Sequence, residues 1–149
     1  MSQYHITAGQ HKIIIGWDRP RCTYFASVRD QTKGGDQSLV LWVGTNRGEL
    51  RSVDALEAAL ASYVELAPEL RSRLEVDMLE DFGFPIIGYI YDNRGYHGGK
   101  VWIHSKDQLN LFMAGPVRQA RLENREVRIT DGGDFMIYHS EKGQLIWPR

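Results

Sequence analysis

The chain reads as an α+β protein built mostly on antiparallel sheet. Strand-like and helix-like stretches are grouped along it rather than strictly alternating, which argues against a doubly wound parallel sheet. The strand-like stretches are also joined by turns and loops of the kind that connect hairpins and meanders. A length of 149 residues suits a single domain over 1–149, able to bury roughly 70% of its unfolded surface in one core.

Taken in order, 11–15 and 22–29 read as strands on either side of Gly16-Trp17-Asp18-Arg19-Pro20-Arg21. Pro20 there removes a ladder donor and biases Arg19 towards an extended backbone. Residues 30–37 read as a hairpin loop, and 39–43, apolar on both faces, as an interior strand that completes an N-terminal three-stranded unit. Ser52 is placed to cap a helix whose face is Val53, Leu56, Leu60, Tyr63 and Val64, ending near Leu66. Pro68 suits the first position of a second helix, striped by Leu70, Leu74 and Met78 and ending around Phe82-Gly83, so that the two make a helical hairpin.

Residues 86–91 and 100–104 then read as a second hairpin around the loop 92–99. Ser105-Lys106-Asp107-Gln108 matches a capping box ahead of Leu109, Phe112 and Met113, a short helix expected to stop at Gly115-Pro116, with a further turn or two over 117–123. The chain closes as a three-stranded meander, 126–130, 135–140 and 144–147.

Charge and cysteine content narrow the function classes. Eighteen Lys+Arg against nineteen Asp+Glu leave a formal charge of −1, with no global field to draw the protein onto nucleic acid or an anionic membrane. Cys22 is the only cysteine and cannot form an internal disulfide, and Met1-Ser2-Gln3-Tyr4-His5 lacks the order of a signal peptide, which points to the cytoplasm. Apolar runs such as 39–43 fall far short of the ~20 residues of a membrane-spanning helix.

Five groups of residues carry candidate chemistry. Asp18, Arg19 and Arg21 beside Cys22 resemble an activated thiol, yet Cys22 shares strand alternation with Tyr24, Ala26 and Val28, which favours a small buried hydrophobe beside an Asp-stabilised turn. Trp17 is either folded onto the core or shown to a partner. The loop 92–99 fails as a Walker-type phosphate cradle, since Gly95 is only five residues before Lys100 and a strand follows; Arg94, Tyr96 and His97 are nevertheless its binding candidates. The five histidines show no metal spacing, so no metal or cofactor is expected; convergence of His97, His104 and His139 through the sheet stays open, with a packed, hydrogen-bonded role favoured for His104 and His139. Arg118, Arg121 and Arg125 fall on one face of a helix at a spacing able to follow phosphates, but interleaved glutamates favour a salt-bridged surface. Glu75, Asp77, Glu80 and Asp81 read as a wet helix face.

With no convergent acid, base, nucleophile or metal set, and with Trp17, Tyr96 and Trp147 at loops and ends, the expected function is a non-catalytic protein-binding module. It would be an accessory or inhibitory factor of a bacterial cell or mobile element, with room for a homodimer, and with nucleic acid disfavoured. Two alternatives stand beside it. One is a small enzyme on an anionic substrate with Asp18 or His97 as acid or base, and the other is nucleic-acid binding through Arg118, Arg121 and Arg125.

Overall fold

A computed structural model of the chain describes residues 2–148. Its backbone contacts divide it into two compact units, Met1–Ala67 and Pro68–Arg149. The fold is α+β, with two sheets, and every pairing within them is antiparallel.

The first unit holds β1 (Tyr4–Ala8), β2 (His11–Asp18), β3 (Thr23–Asp30) and β4 (Leu39–Val43), paired in chain order. The alternation of Tyr4, Ile6 and Ala8 with His5 and Thr7 adds a fourth strand to the three expected, in register with β2 through Ile6↔Ile13. One face is a core: Ile13, Ile15 and Trp17 lie opposite Val28, Ala26 and Tyr24, all buried. The helix α1 (Val53–Leu60) adds Val53, Leu56 and Leu60. Ser52 caps it as expected, its hydroxyl accepting the Ala55 N–H at 3.1 Å.

Three local expectations are corrected here. The strand β2 runs on through Asp18, so the turn begins only at Arg19, and Cys22 ends it with φ 49°, exposed rather than buried; the left-handed residue breaks the alternation that had placed it beside Tyr24. Strand β4 is an edge strand, and its apolarity on both faces comes from Trp42, which points outward. The helix α1 stops at Leu60, where the Leu60 carbonyl accepts from both Tyr63 and Val64, and the Tyr63 ring turns edge-on to His11 at 5.1 Å.

The second unit holds α2 (Pro68–Leu79), β5 (Ile86–Ile90), β6 (Val101–Ile103), α3 (Lys106–Phe112), α4 (Arg118–Leu122), β7 (Val127–Thr130), β8 (Met136–Glu141) and β9 (Gln144–Trp147). Its sheet order is β6-β5-β7-β8-β9, which contains both the second hairpin and the closing meander. Helix α1 therefore belongs to one unit and α2 to the other. Leu109, Phe112 and Met113 are buried, and the Phe112 ring packs so closely on Gly88 that a Cβ there would lie 2.3 Å from it. The expected stop at Gly115-Pro116 does not occur. A π-helical turn over Met113–Val117 widens the helix enough to pass Pro116 and lead into α4. Glu75 and Asp77 are buried rather than wet, because α2 turns them onto cations: Arg121 lies 3.7 Å from Glu75, and Lys106 3.5 Å from Asp77 and 3.1 Å from Glu80.

Candidate functional site

The outward face of the first sheet gathers rings and cations. Because Tyr24, Ala26 and Val28 face the core, Phe25, Ser27 and Arg29 face away, beside Lys12, Ile14 and Gly16 on β2 and Trp42 on β4. The register arranges them in three rows: Gly16 opposite Phe25; Ile14, Ser27 and Trp42 in line; and Lys12 opposite Arg29. Gly16 is needed where it stands, since a Cβ would lie 1.9 Å from the Ser2 carbonyl oxygen and 2.9 Å from Phe25 Cε1. Trp42 is 66% exposed, and it shares with Phe25, Arg21 and Thr45 a shallow hollow of about 280 Å3. Arg21 is held at its rim by Asp18, 2.9 Å away.

Lys12 and Arg29 border a second hollow of about 240 Å3 on the same face. Two like charges directly opposite each other weaken an antiparallel pair. Arg29 donates to Ser38 Oγ at 3.0 Å, and among the described residues neither cation is joined to a carboxylate. An anion laid across the two strands would remove that repulsion.

The loop after β4 is pinned by Glu49, whose carboxylate accepts the N–H of Gly44 and that of Asn46 as well as the Asn46 side-chain amide. The Gly44 amide foremost, then those of Asn46, hold the Glu49 carboxyl below its usual value. A carboxyl depressed by folding contributes stability above its unfolded pKa and loses it as pH falls through the folded one. Glu49→Gln is therefore expected to lower the urea midpoint at about pH 7, and the difference from the parent protein is expected to shrink as pH falls through the depressed pKa of the folded carboxyl.

The residues singled out from sequence fare unevenly. Trp17 is 8% exposed and packs edge-on against Tyr24 at 4.8 Å, folded onto the core. Asp18 is buried on Arg21, and Arg19 is exposed in the following turn. In the second unit, Asp92 organises the loop by accepting the N–H groups of Arg94 at 2.8 Å and Tyr96 at 3.0 Å; the Tyr96 amide foremost lowers its carboxyl pKa. Tyr96 is 72% exposed. His97 sits edge-on to Tyr89 and Tyr91, with its Nδ1 accepting from the Gly99 N–H. Asp18 lies in the first unit and His97 in the second.

The three histidines have separate partners: His97 the two tyrosines, His104 the Trp102 ring, and His139 the carboxylates of Glu126 and Glu141. The arginine face is spent on ion pairs, Arg118 with Glu69, Arg121 with Glu75 and Arg125 with Glu123. The residues that sequence reasoning missed are Lys12, Phe25, Arg29 and Trp42. Their signal was a tryptophan at an outward position of an otherwise apolar strand.

Comparison with known proteins adds one relative. Over 130 residues the chain is 29% identical to the DNA primase small subunit PriS of the archaeon Natronomonas pharaonis, a stretch covering 82% of this chain and 31% of that protein. The chain thus spans about a third of the length of the relative it matches. No family model matches the chain, and no solved structure matches it. The relative overturns two expectations: a non-catalytic protein-binding module of a bacterial cell, and a partner list of proteins that disfavoured nucleic acid. A net charge near zero had argued against nucleic acid, but net charge is an average and says nothing about a local patch of cations. No helix among the described residues is long and apolar enough to cross a membrane.

Proposed function

We propose that this chain is a nucleic-acid-handling protein whose first unit binds a single strand on the outward face of its sheet. The observation that carries the proposal is an exposed Trp42 beside Phe25 of the neighbouring strand, with Lys12 and Arg29, which have no carboxylate partner among the described residues, one row from Trp42 and two from Phe25. Aromatic rings on an antiparallel sheet offer π-faces to unstacked bases, and flanking cations follow the backbone. Rows two residues apart along a strand are about 7 Å apart, comparable with the reach from a base to its own phosphate. Similarity to a primase subunit supports the same class of partner. A cytoplasmic protein with one unpaired thiol, Cys22, is compatible with that work.

The test is binding of a fluorescein-labelled oligothymidylate, about 20 nucleotides long, at low salt. Loss of one stacked base costs ~1–3 kcal/mol, so Trp42→Ala is expected to weaken binding by roughly 5- to 150-fold. Lys12→Ala and Arg29→Ala are each expected to flatten the dependence of affinity on salt by about one counterion. Equal affinity of Trp42→Ala and the parent protein would overturn the proposal, as would a failure of the parent protein to bind.

A further inference from the structure

The second unit carries a set of donors that the nucleic-acid surface does not use. Arg128 lies opposite His139 across β7 and β8, and Val127 lies opposite Ser140, so Glu126 and Glu141 face each other on the same side of the sheet as the histidine. His139 Nε2 is 3.2 Å from Glu126 Oε1 and 3.3 Å from Glu141 Oε1, and one donor atom from each of the three residues falls within 4.8 Å of the others. All three are part-buried.

From this arrangement we infer a divalent transition-metal site formed by Glu126, His139 and Glu141. Two features favour a metal over a simple ion pair. First, the N···O separations are longer than the ~2.7–2.9 Å of a charge-assisted hydrogen bond. They match instead the edge between neighbouring ligands around an ion bound at ~2.0–2.2 Å, which geometry puts at roughly 3.0–3.5 Å for octahedral and tetrahedral sites. Second, one imidazole nitrogen carries a single proton or a single lone pair, so it cannot serve two carboxylates equally as a donor, whereas one cation can be shared by all three groups. Two carboxylates facing each other across an antiparallel pair also repel, and a cation between them relieves this.

One imidazole with two carboxylates suits Zn2+, Mn2+ or Co2+ and leaves further positions for water or a ligand oxygen; an imidazole suits the harder Mg2+ poorly. Glu126 and Glu141 also line a hollow of about 290 Å3 together with Asp92, Asn124, Arg125 and Lys142. Arg128 competes with the ion. Its guanidinium bonds Glu126 and also lies over the Tyr91 ring, 5.3 Å from the centroid, where it can remain when the carboxylate turns to a metal.

Calorimetric titration of the full, metal-stripped chain with Zn2+ tests the site. One equivalent is expected to bind, with Mg2+ unable to displace it. His139→Ala and the isosteric Glu141→Gln are each expected to weaken binding roughly 10-fold or more, while His11→Ala, in the other unit, leaves it unchanged. Arg128→Gln is expected to tighten it, since the competitor is gone. Circular dichroism confirms that each variant is folded. Zn2+ affinity unchanged in a folded Glu141→Gln variant, or no stoichiometric binding by the parent chain, would overturn the inference. Neither result bears on the first sheet, because oligothymidylate binding is read separately through Trp42.

Discussion

Replacing Arg121 by methionine is expected to destabilise the second unit by about 3–5 kcal/mol, the usual range when one partner of a buried pair is removed. The side chain sits in the interior, donating to the Tyr138 hydroxyl at 3.2 Å and to the Gly143 carbonyl at 3.1 Å, with Glu75 3.7 Å away. Tyr138 is fully buried and Glu75 nearly so. Burial first, and the Glu75 charge after it, push the Tyr138 phenol well above its ordinary pKa, so the phenol stays neutral beside the Arg121–Glu75 pair. Methionine keeps the packing of the stem and removes the charge, which isolates the electrostatic part. Urea unfolding followed by far-UV circular dichroism measures the loss. The double variant Glu75→Gln, Arg121→Met is expected to recover most of it, because the cost lies in the stranded charge and not in the missing contact. Additive losses from the two substitutions would show instead that the arginine acts through its other bonds.

That triad also marks where sequence reasoning reached and where it stopped. Periodicity and end signals located the elements that depend on local chemistry: the helix capped by Ser52, the helix opened by Pro68, the hairpin around 92–99 and the closing meander. It failed where distant groups decide. Glu75 and Asp77 look like a solvated face until Arg121 and Lys106 arrive from α4 and α3 to meet them. Pro116 looks like a terminator until a π-helical turn absorbs it. The candidate surface was the least legible part, because Lys12, Phe25, Arg29 and Trp42 span thirty positions and become neighbours only through the registers of two strand pairs. Composition misled for a related reason. A net charge of −1 averages over glutamates that are paired within the second unit, and it hides a sheet face in the first where Lys12 and Arg29 have no carboxylate partner among the described residues.

The second large effect is expected at Gly44, and it joins the stability of the first unit to its surface. Gly44 has φ 78°, a left-handed conformation that costs other residues about 1–3 kcal/mol. A Cβ there would lie 2.0 Å from the Tyr24 carbonyl oxygen and 2.5 Å from Phe25 Cα. Both are backbone atoms of a central strand, and neither can swing aside as a side-chain tip would, so relief requires β3 and the end of β4 to separate, at a further cost of roughly 1–3 kcal/mol. Gly44→Ala should therefore lower the thermal midpoint by about 10 °C or more for a unit of this size. Gly34→Ala is the control: nothing lies within 4 Å of its Cβ position, so its midpoint should hold or rise slightly. The same displacement moves Phe25 away from Trp42, since Gly44 lines the hollow that the two rings share. At temperatures where the Gly44→Ala protein is still folded, oligothymidylate affinity should fall with it, whereas Arg121→Met, which acts within the second unit, should leave that affinity unchanged at the same temperature. Normal affinity in a folded Gly44→Ala protein would mean that the spacing of the two rings is not what the strand recognises.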